Sequence, residues 1–507
     1  MKVLFVVTEL QKPVGGLHRF TTELLPAWRR AFEEGKTEFE PLVISLKDPL
    51  SPQGDLKQSD AFKMPEGAVL YEAKRGGETC YFIESSLAPE TRGELQKELW
   101  EDYGIKSLKQ AGDQFYQNLN AFWHYLRKAY PAIREKHEIA LSDCQDWLAF
   151  PAGYLLKKQF GLPLYCRIHS GEWGRSIGSP DLESAQLTIE TAALQEADYL
   201  QSVSIGEARF EIFKLLPEKE ELRKSLAKKK GPEWAGEQEK KELEYNDFLL
   251  MEQRAKMKLV GRRCAGVPNG IILDDWRKVT REDAIEGRRA LESILPDKKG
   301  YALFIGRPHR IKGVYALLDA FTELNDDYGL VIASSFTPEK LNEFNSIIQK
   351  KGLQGRIALR NGWIDEAHKK QLFCAADVIA LPSLYEPFGI VTLEGLAADL
   401  ACYSNKINGP IVVVGDTGGM TETIENGING LKVPMEEDKL EIQPAFLADA
   451  LKKAFQDGEF REKITENAAK RVQNPNYDWL NIAATYGELY SLCLKNNANS
   501  KQNAALE

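Results

Sequence analysis

The chain has 507 residues, 43% hydrophobic and 28% charged, with a formal net charge of −9. That length exceeds what one hydrophobic core organises, so two domains are expected. The acidic balance argues against nucleic acid as a main partner, and no apolar run reaches the roughly 18 residues needed to cross a bilayer.

From the start of the chain, Val3–Val7 is too short for a secretory apolar segment and reads as a buried first strand. Gly15-Gly16 follows, and then the helical stretch Leu17–Arg30. Glycine at a strand-to-helix turn lets a backbone approach a phosphate, although a plain turn would look the same. Further apolar strands are expected at Leu42–Leu46, Tyr81–Glu84, Leu164–Ile168 and Tyr199–Val203, with helical material between them. Strands alternating with helices are the pattern of a doubly wound parallel sheet. Residues 215–258 break it: they are dense in Lys and Glu at helical spacing, which suggests two exposed helices. A solvated insertion and an arm that contacts a glucan or a second copy of the chain both fit.

The turn Val267-Pro268-Asn269-Gly270 opens the second half, whose expected strands are Tyr301–Ile305, Gly329–Ala333, Arg356–Arg360, Val378–Leu381 and Ile411–Val414. A domain division near residue 275 follows. The cysteines at 80, 144, 166, 264, 374, 402 and 493 form no Cys-x-x-Cys pair and have no histidine cluster beside them. Disulfides and structural zinc are therefore disfavoured, and a reducing, cytoplasmic setting is expected.

The densest chemistry lies in Ser383-Leu384-Tyr385-Glu386-Pro387-Phe388-Gly389-Ile390-Val391-Thr392-Leu393-Glu394. A helix beginning near Pro387 would turn the N–H groups of Phe388, Gly389 and Ile390 toward an anion, with Glu386 at its mouth and Glu394 about two turns on. Upstream, Gly306-Arg307-Pro308-His309-Arg310-Ile311-Lys312-Gly313 leaves a strand at the end where such sheets bind ligands. Arg307 can grip phosphate oxygens bidentately and Lys312 supplies a point charge; taken alone, the segment could be an exposed basic loop. The sequence has no Asp-x-Asp motif to hold a metal for the same task.

These segments resemble the carboxylate and phosphate-binding motifs of retaining nucleotide-sugar glycosyltransferases of GT-B architecture. The first half looks most like the glycogen and starch synthases. Arg167-Ile168-His169-Ser170-Gly171-Glu172 is similar to the family element that sets a histidine beside the transferred sugar. Asp143-Cys144-Gln145-Asp146-Trp147 resembles its acceptor-side His-Asp-Trp, with Gln145 in place of the histidine. Lys12 stands one place further from Gly15-Gly16 than the family's lysine does.

The resemblance implies an α/β protein of two doubly wound Rossmann-like domains with a cleft between them. The expected boundaries are an acceptor-side domain at 1–274, a donor domain at 275–474, a terminal helix at 475–495 returning to the first domain, and a polar tail at 496–507. His169, Glu386, Arg307 and Lys312 would be catalytic. Gly15, Gly16, Asn269, Ile364, Phe388, Gly389, Ile390 and Glu394 would bind donor, and Asp146 and Trp147 would face the acceptor. Asn269 reads equally well as a simple turn residue.

The implied activity is metal-independent transfer of glucose, with retention, from ADP- or UDP-glucose to the non-reducing end of an α-1,4-glucan. No metal or other cofactor is expected. The partners would be a nucleotide sugar and a glucan, without nucleic acid or membrane, and a homo-oligomer is left open. One alternative is a relative acting on a small sugar or sugar phosphate, which Glu394 favours; another is a non-catalytic glucan- or nucleotide-sugar-binding protein.

Overall fold

Strand β1 (Lys2–Val7) is buried from Val3 onward on both faces, as a central strand of a parallel sheet must be. It anchors the first of two units in a computed structural model that describes residues 1–11, 15–105, 114–176, 184–210, 264–362, 364–436, 441–456 and 458–504. The first unit takes Met1–Val267 and Ala483–Glu507, and the second takes Pro268–Ile482. The division falls between Val267 and Pro268, ahead of the position near 275 expected from the strand pattern. The Lys/Glu-rich stretch 215–258 lies outside the described residues, as do Lys12 and Trp363.

In the first unit, helix α1 (Gly16–Glu33) follows β1 and packs against β2 (Glu40–Leu46). The sheet adds β3 (Lys57–Gln58), β4 (Ala68–Arg75) and β5 (Glu78–Ser85). After helices α2 (Pro89–Tyr103) and α3 (Gln114–Lys136) comes β6 (Ile139–Gln145). Helix α4 (Phe150–Phe160) leads to β7 (Leu164–Ile168), and β8 (Tyr199–Ser202) and β9 (Cys264–Gly266) complete the set. The strand order is β3-β4-β5-β2-β1-β6-β7-β8-β9. From β5 to β9 all neighbours run parallel, whereas β4 pairs antiparallel with both β3 and β5. That antiparallel edge and β6 were not anticipated from sequence. Order reverses beside β1, since β2 pairs on one side and β6 on the other, so a crevice opens at the C-terminal ends of β1 and β6.

The second unit holds β10 (Gly300–Ile305), β11 (Tyr328–Ser334), β12 (Ile357–Asn361), β13 (Val378–Leu381), β14 (Ile411–Gly415) and β15 (Leu431–Val433). Their order is β12-β11-β10-β13-β14-β15, and every pairing is parallel. This is the doubly wound dinucleotide-fold order, with its switch point between β10 and β13. The expected strands match these within one or two residues at each end.

The terminal helix runs from Trp479 to Ala504 and so extends through most of the stretch read from sequence as a polar tail. Asn496 donates to the Asp198 carbonyl at 3.0 Å, and Asn497 is buried. Tyr486, Tyr490 and Cys493 are wholly buried in the first unit, with Tyr490 stacked on Trp28 at 5.5 Å between ring centres. Side chains as large as the two tyrosines contribute roughly 1.5–3 kcal/mol each by burial, so this helix is an integral wall of the first unit.

Candidate active site

In the second unit, the switch point collects the residues singled out around 306–313 and 383–394. After β10, a single 3₁₀ turn (Arg310–Lys312) ends at Gly313, whose φ of 69° lies in the left-handed region. A Cβ on Gly313 would sit 1.7 Å from the Pro382 carbonyl oxygen, so only glycine lets the two loops touch. The contact is secured by the Leu384 N–H donating to the Ile311 carbonyl at 2.7 Å. It places Lys312 Nζ 2.6 Å from Glu386 Oε2, with Ser383 Oγ 3.4 Å from the same oxygen. Arg307 is exposed on the same loop, and no described side chain pairs with it.

The helix after Glu386 spans Ile390–Ser404 and is preceded by Gly389 at φ 86°. This corrects the expectation of a start near Pro387: the left-handed Gly389 breaks the backbone, and Phe388 and Gly389 stand before the helix. The anion-receiving N–H groups of its first turn therefore belong to Ile390 and the residues after it. Phe388 is buried, and Ile390 is half-buried. Gly418, at φ 50°, and Gly419 close over the turn, and the Gly419 N–H lies 3.1 Å from both the Glu386 and Pro387 carbonyls. A Cβ on Gly418 would meet the Glu386 carbonyl at 1.9 Å.

Glu394 is 1% exposed and ion-paired at 2.7 Å with Lys369, from the helix Glu366–Ala375. It does not share the Lys312–Glu386 contact. Lys369 was missed by sequence reading, where it is one charge in a charged helix; only burial reveals that it needs a carboxylate. Ile364 is half-buried in the loop after β12, and Asn269 is buried with its side-chain oxygen unpaired among the described residues.

In the first unit, Gly15 (φ 95°) and Gly16 open α1, and among the described residues nothing outside their chain neighbours lies within 4 Å of an added Cβ on either. One turn on, Phe20 meets the His169 ring edge-on at 4.5 Å. His169 follows β7, and its Nε2 lies 2.9 Å from Gln145 Oε1 at the end of the neighbouring β6. Its backbone N–H donates to Asp146 Oδ1 at 2.7 Å, and the Ser170 N–H reaches the same oxygen at 3.3 Å. Trp147 is buried and tilted against Tyr116. Burial and the Arg167 guanidinium hold His169 well below its usual 6.5, so the ring is neutral at neutral pH.

Asp146 adopts φ 59°, a conformation that Asn and Asp tolerate best among side-chain-bearing residues. Burial pushes its carboxyl up to about 6, against the pull of Arg175 and the two backbone N–H groups. A raised folded pKa adds stability that is complete below the usual 3.8 and lost as pH rises through about 6. Asp146→Asn keeps an acceptor for both N–H groups and removes that titration. Melting curves should therefore superimpose with wild type near pH 4 and favour the variant increasingly by pH 7. A difference independent of pH would contradict the assignment.

Among the described residues, no three His, Cys, Asp or Glu side chains gather as metal ligands, and no helix is long and apolar enough to cross a membrane.

Residues 290–471 match the family model of glycosyl transferases group 1. An uncharacterized glycosyltransferase of Methanocaldococcus jannaschii is 25% identical over 69% of this chain and 75% of its own length. The alpha-maltose-1-phosphate synthase of Mycolicibacterium smegmatis is 32% identical over 37% of this chain, a match spanning a little under half of that protein, 46%. The catalytic domain of starch synthase IV from Arabidopsis thaliana, solved with ADP and acarbose, has the same fold, with a TM-score of 0.64 over 97% of this chain and 99% of that one at 18% identity. Two parallel α/β units, a group 1 domain forming most of the second, and glycosyltransferases among both sequence and fold relatives lead to one conclusion: the chain is a glycosyltransferase of GT-B fold.

Proposed function

We propose that the chain transfers glucose, with retention, from ADP- or UDP-glucose to the non-reducing end of an α-1,4-glucan, without a catalytic metal. The observation that carries this reading is the Lys312–Glu386 pair at the β10/β13 switch point, on the same loop as the exposed Arg307, with which no described side chain pairs. A nucleoside diphosphate leaving group gathers negative charge as the sugar C1–O bond breaks. Arg307 can take its oxygens bidentately, Lys312 adds a second cation, and the first N–H groups of the helix Ile390–Ser404 add partial charge. Such preorganised stabilisation is commonly the largest catalytic term. The acceptor oxygen attacks C1 from the face the diphosphate leaves, and its proton passes to the departing phosphate oxygen. Glu386 holds sugar hydroxyls, and neutral His169 holds another.

A glucan acceptor is supported by the resemblance of Asp143–Trp147 and Arg167–Glu172 to elements of glycogen and starch synthases. A sugar-phosphate acceptor is the second reading, favoured by the alpha-maltose-1-phosphate synthase match. Nucleotide release measured over a panel of ADP- and UDP-sugars against glucans, free sugars and sugar phosphates separates the two. Turnover is expected with glucose donors and to persist in excess EDTA. Loss in EDTA, restored by Mg²⁺ or Mn²⁺, would falsify the metal-free mechanism.

A further inference from the structure

Gln145 stands where the resembled family has a histidine, and its surroundings give it a task. Asp143, Gln145 and Arg167 are wholly buried at the ends of β6 and β7. Asp143 Oδ2 accepts from Arg167 Nη2 and from the Tyr490 hydroxyl, each at 2.7 Å, and its Oδ1 lies 2.6 Å from Gln145 Nε2. Burial pushes the Asp143 carboxyl up, but the Arg167 guanidinium, which keeps its charge, and the hydrogen bonds donated by Arg167, Tyr490 and Gln145 oppose that shift and hold it as the carboxylate, which can only accept. The amide of Gln145 is thereby oriented: its NH₂ must face Asp143, and its carbonyl oxygen must face outward. That oxygen is 2.9 Å from His169 Nε2. A carbonyl cannot donate, so this ring nitrogen must carry the proton. The other nitrogen, Nδ1, makes no hydrogen bond with any described residue.

We propose that Gln145 is a positioning residue that locks His169 in the Nε2-protonated tautomer, leaving the Nδ1 lone pair to accept a hydrogen bond from a hydroxyl of the transferred sugar. The sugar contact rests on the role given to His169 above; the tautomer lock follows from the geometry alone. His169 then works as a fixed acceptor rather than as an acid. The lock reaches back through Asp143 to Tyr490, so the terminal helix helps set the state of a ring after β7. Tautomer choice of this kind is set by whatever the second ring nitrogen meets.

The test uses full-length protein with ¹⁵N-labelled histidine. Long-range ¹H–¹⁵N correlations distinguish the tautomers, and His169→Ala identifies the signal among six histidines. The expected spectrum shows Nε2 protonated and Nδ1 bare, the Nδ1 signal shifting on addition of a nucleoside diphosphate glucose. In Gln145→Leu the ring should become a tautomer mixture, and kcat should fall roughly tenfold or more with a smaller change in donor KM, since a misassigned tautomer disables a histidine left in place. A ring protonated at Nδ1 in the wild-type protein overturns the proposal even if Gln145→Leu cannot be made to fold. So does a single Nε2-protonated ring that survives in Gln145→Leu. An Nε2-protonated ring whose Nδ1 signal ignores the donor overturns the sugar contact. Absence of transfer with every donor and acceptor instead defeats the functional reading, and the spectrum separates the two failures.

Discussion

Alanine at His169 or at Glu386 is expected to lower kcat by about a hundredfold, the scale of losing one preorganised catalytic group. Both side chains are held before substrate arrives, His169 by Gln145 and Glu386 by Lys312. Prepaid orientation counts most where charge develops, so the loss should fall on kcat more than on KM. Glu394→Ala should behave differently. It should mainly raise the donor KM, and it should also cost stability, because Lys369 would keep only the exposed Glu366 as a carboxylate partner. Steady-state kinetics and thermal melts of the three variants decide this. Equal and mild KM effects at all three positions would reduce them to a binding surface.

Arg307→Ala and Lys312→Ala should each cut turnover at least tenfold, matching about 1.5–3 kcal/mol for a lost hydrogen bond to a charged group. The folds should survive, since both residues sit on a strand-end loop outside the core. The two sites are not equivalent, however. Lys312 also neutralises Glu386, so Lys312→Ala combined with Glu386→Gln should be clearly non-additive, whereas Arg307→Ala with Glu386→Gln should come closer to additive. A double variant at Arg307 and Lys312 with near-normal turnover would end the leaving-group assignment.

What could be read from sequence tracks how local the physics is. Apolar runs such as Val3–Val7 and Val378–Leu381 announce doubly covered strands without help from distant residues. Strand β6 (Ile139–Gln145) did not, because Ser142, Asp143 and Gln145 interrupt its apolar run; Ser142 is satisfied by the Pro163 carbonyl, Gln145 by Asp143 and His169, and Asp143 by Arg167 and Tyr490, the latter more than three hundred residues away. The antiparallel pairing of β4 with β5 was hidden because β4 runs into Glu72-Ala73-Lys74-Arg75, charges that break the apolar run by which a covered strand is read. The start at Ile390 turned on the backbone of Gly389, which composition does not report; proline argued for an earlier start and lost to it. Gln145 read as a missing histidine, and its partners make it a polar link of its own.

The terminal helix bears on the order of synthesis. Tyr486, Tyr490 and Cys493 of the terminal helix line the interior of the first unit, where Tyr490 meets Asp143, Trp28 and Phe39. A ribosome delivers all of Pro268–Ile482 before it reaches them. The second unit can therefore close while its elder neighbour still lacks a wall, with Asp143 and Arg167 already paired but their aromatic cover absent. Nascent chains released just after Ile482 should present a protease-resistant second unit and a labile first one, the reverse of the N-to-C order usual for serial domains.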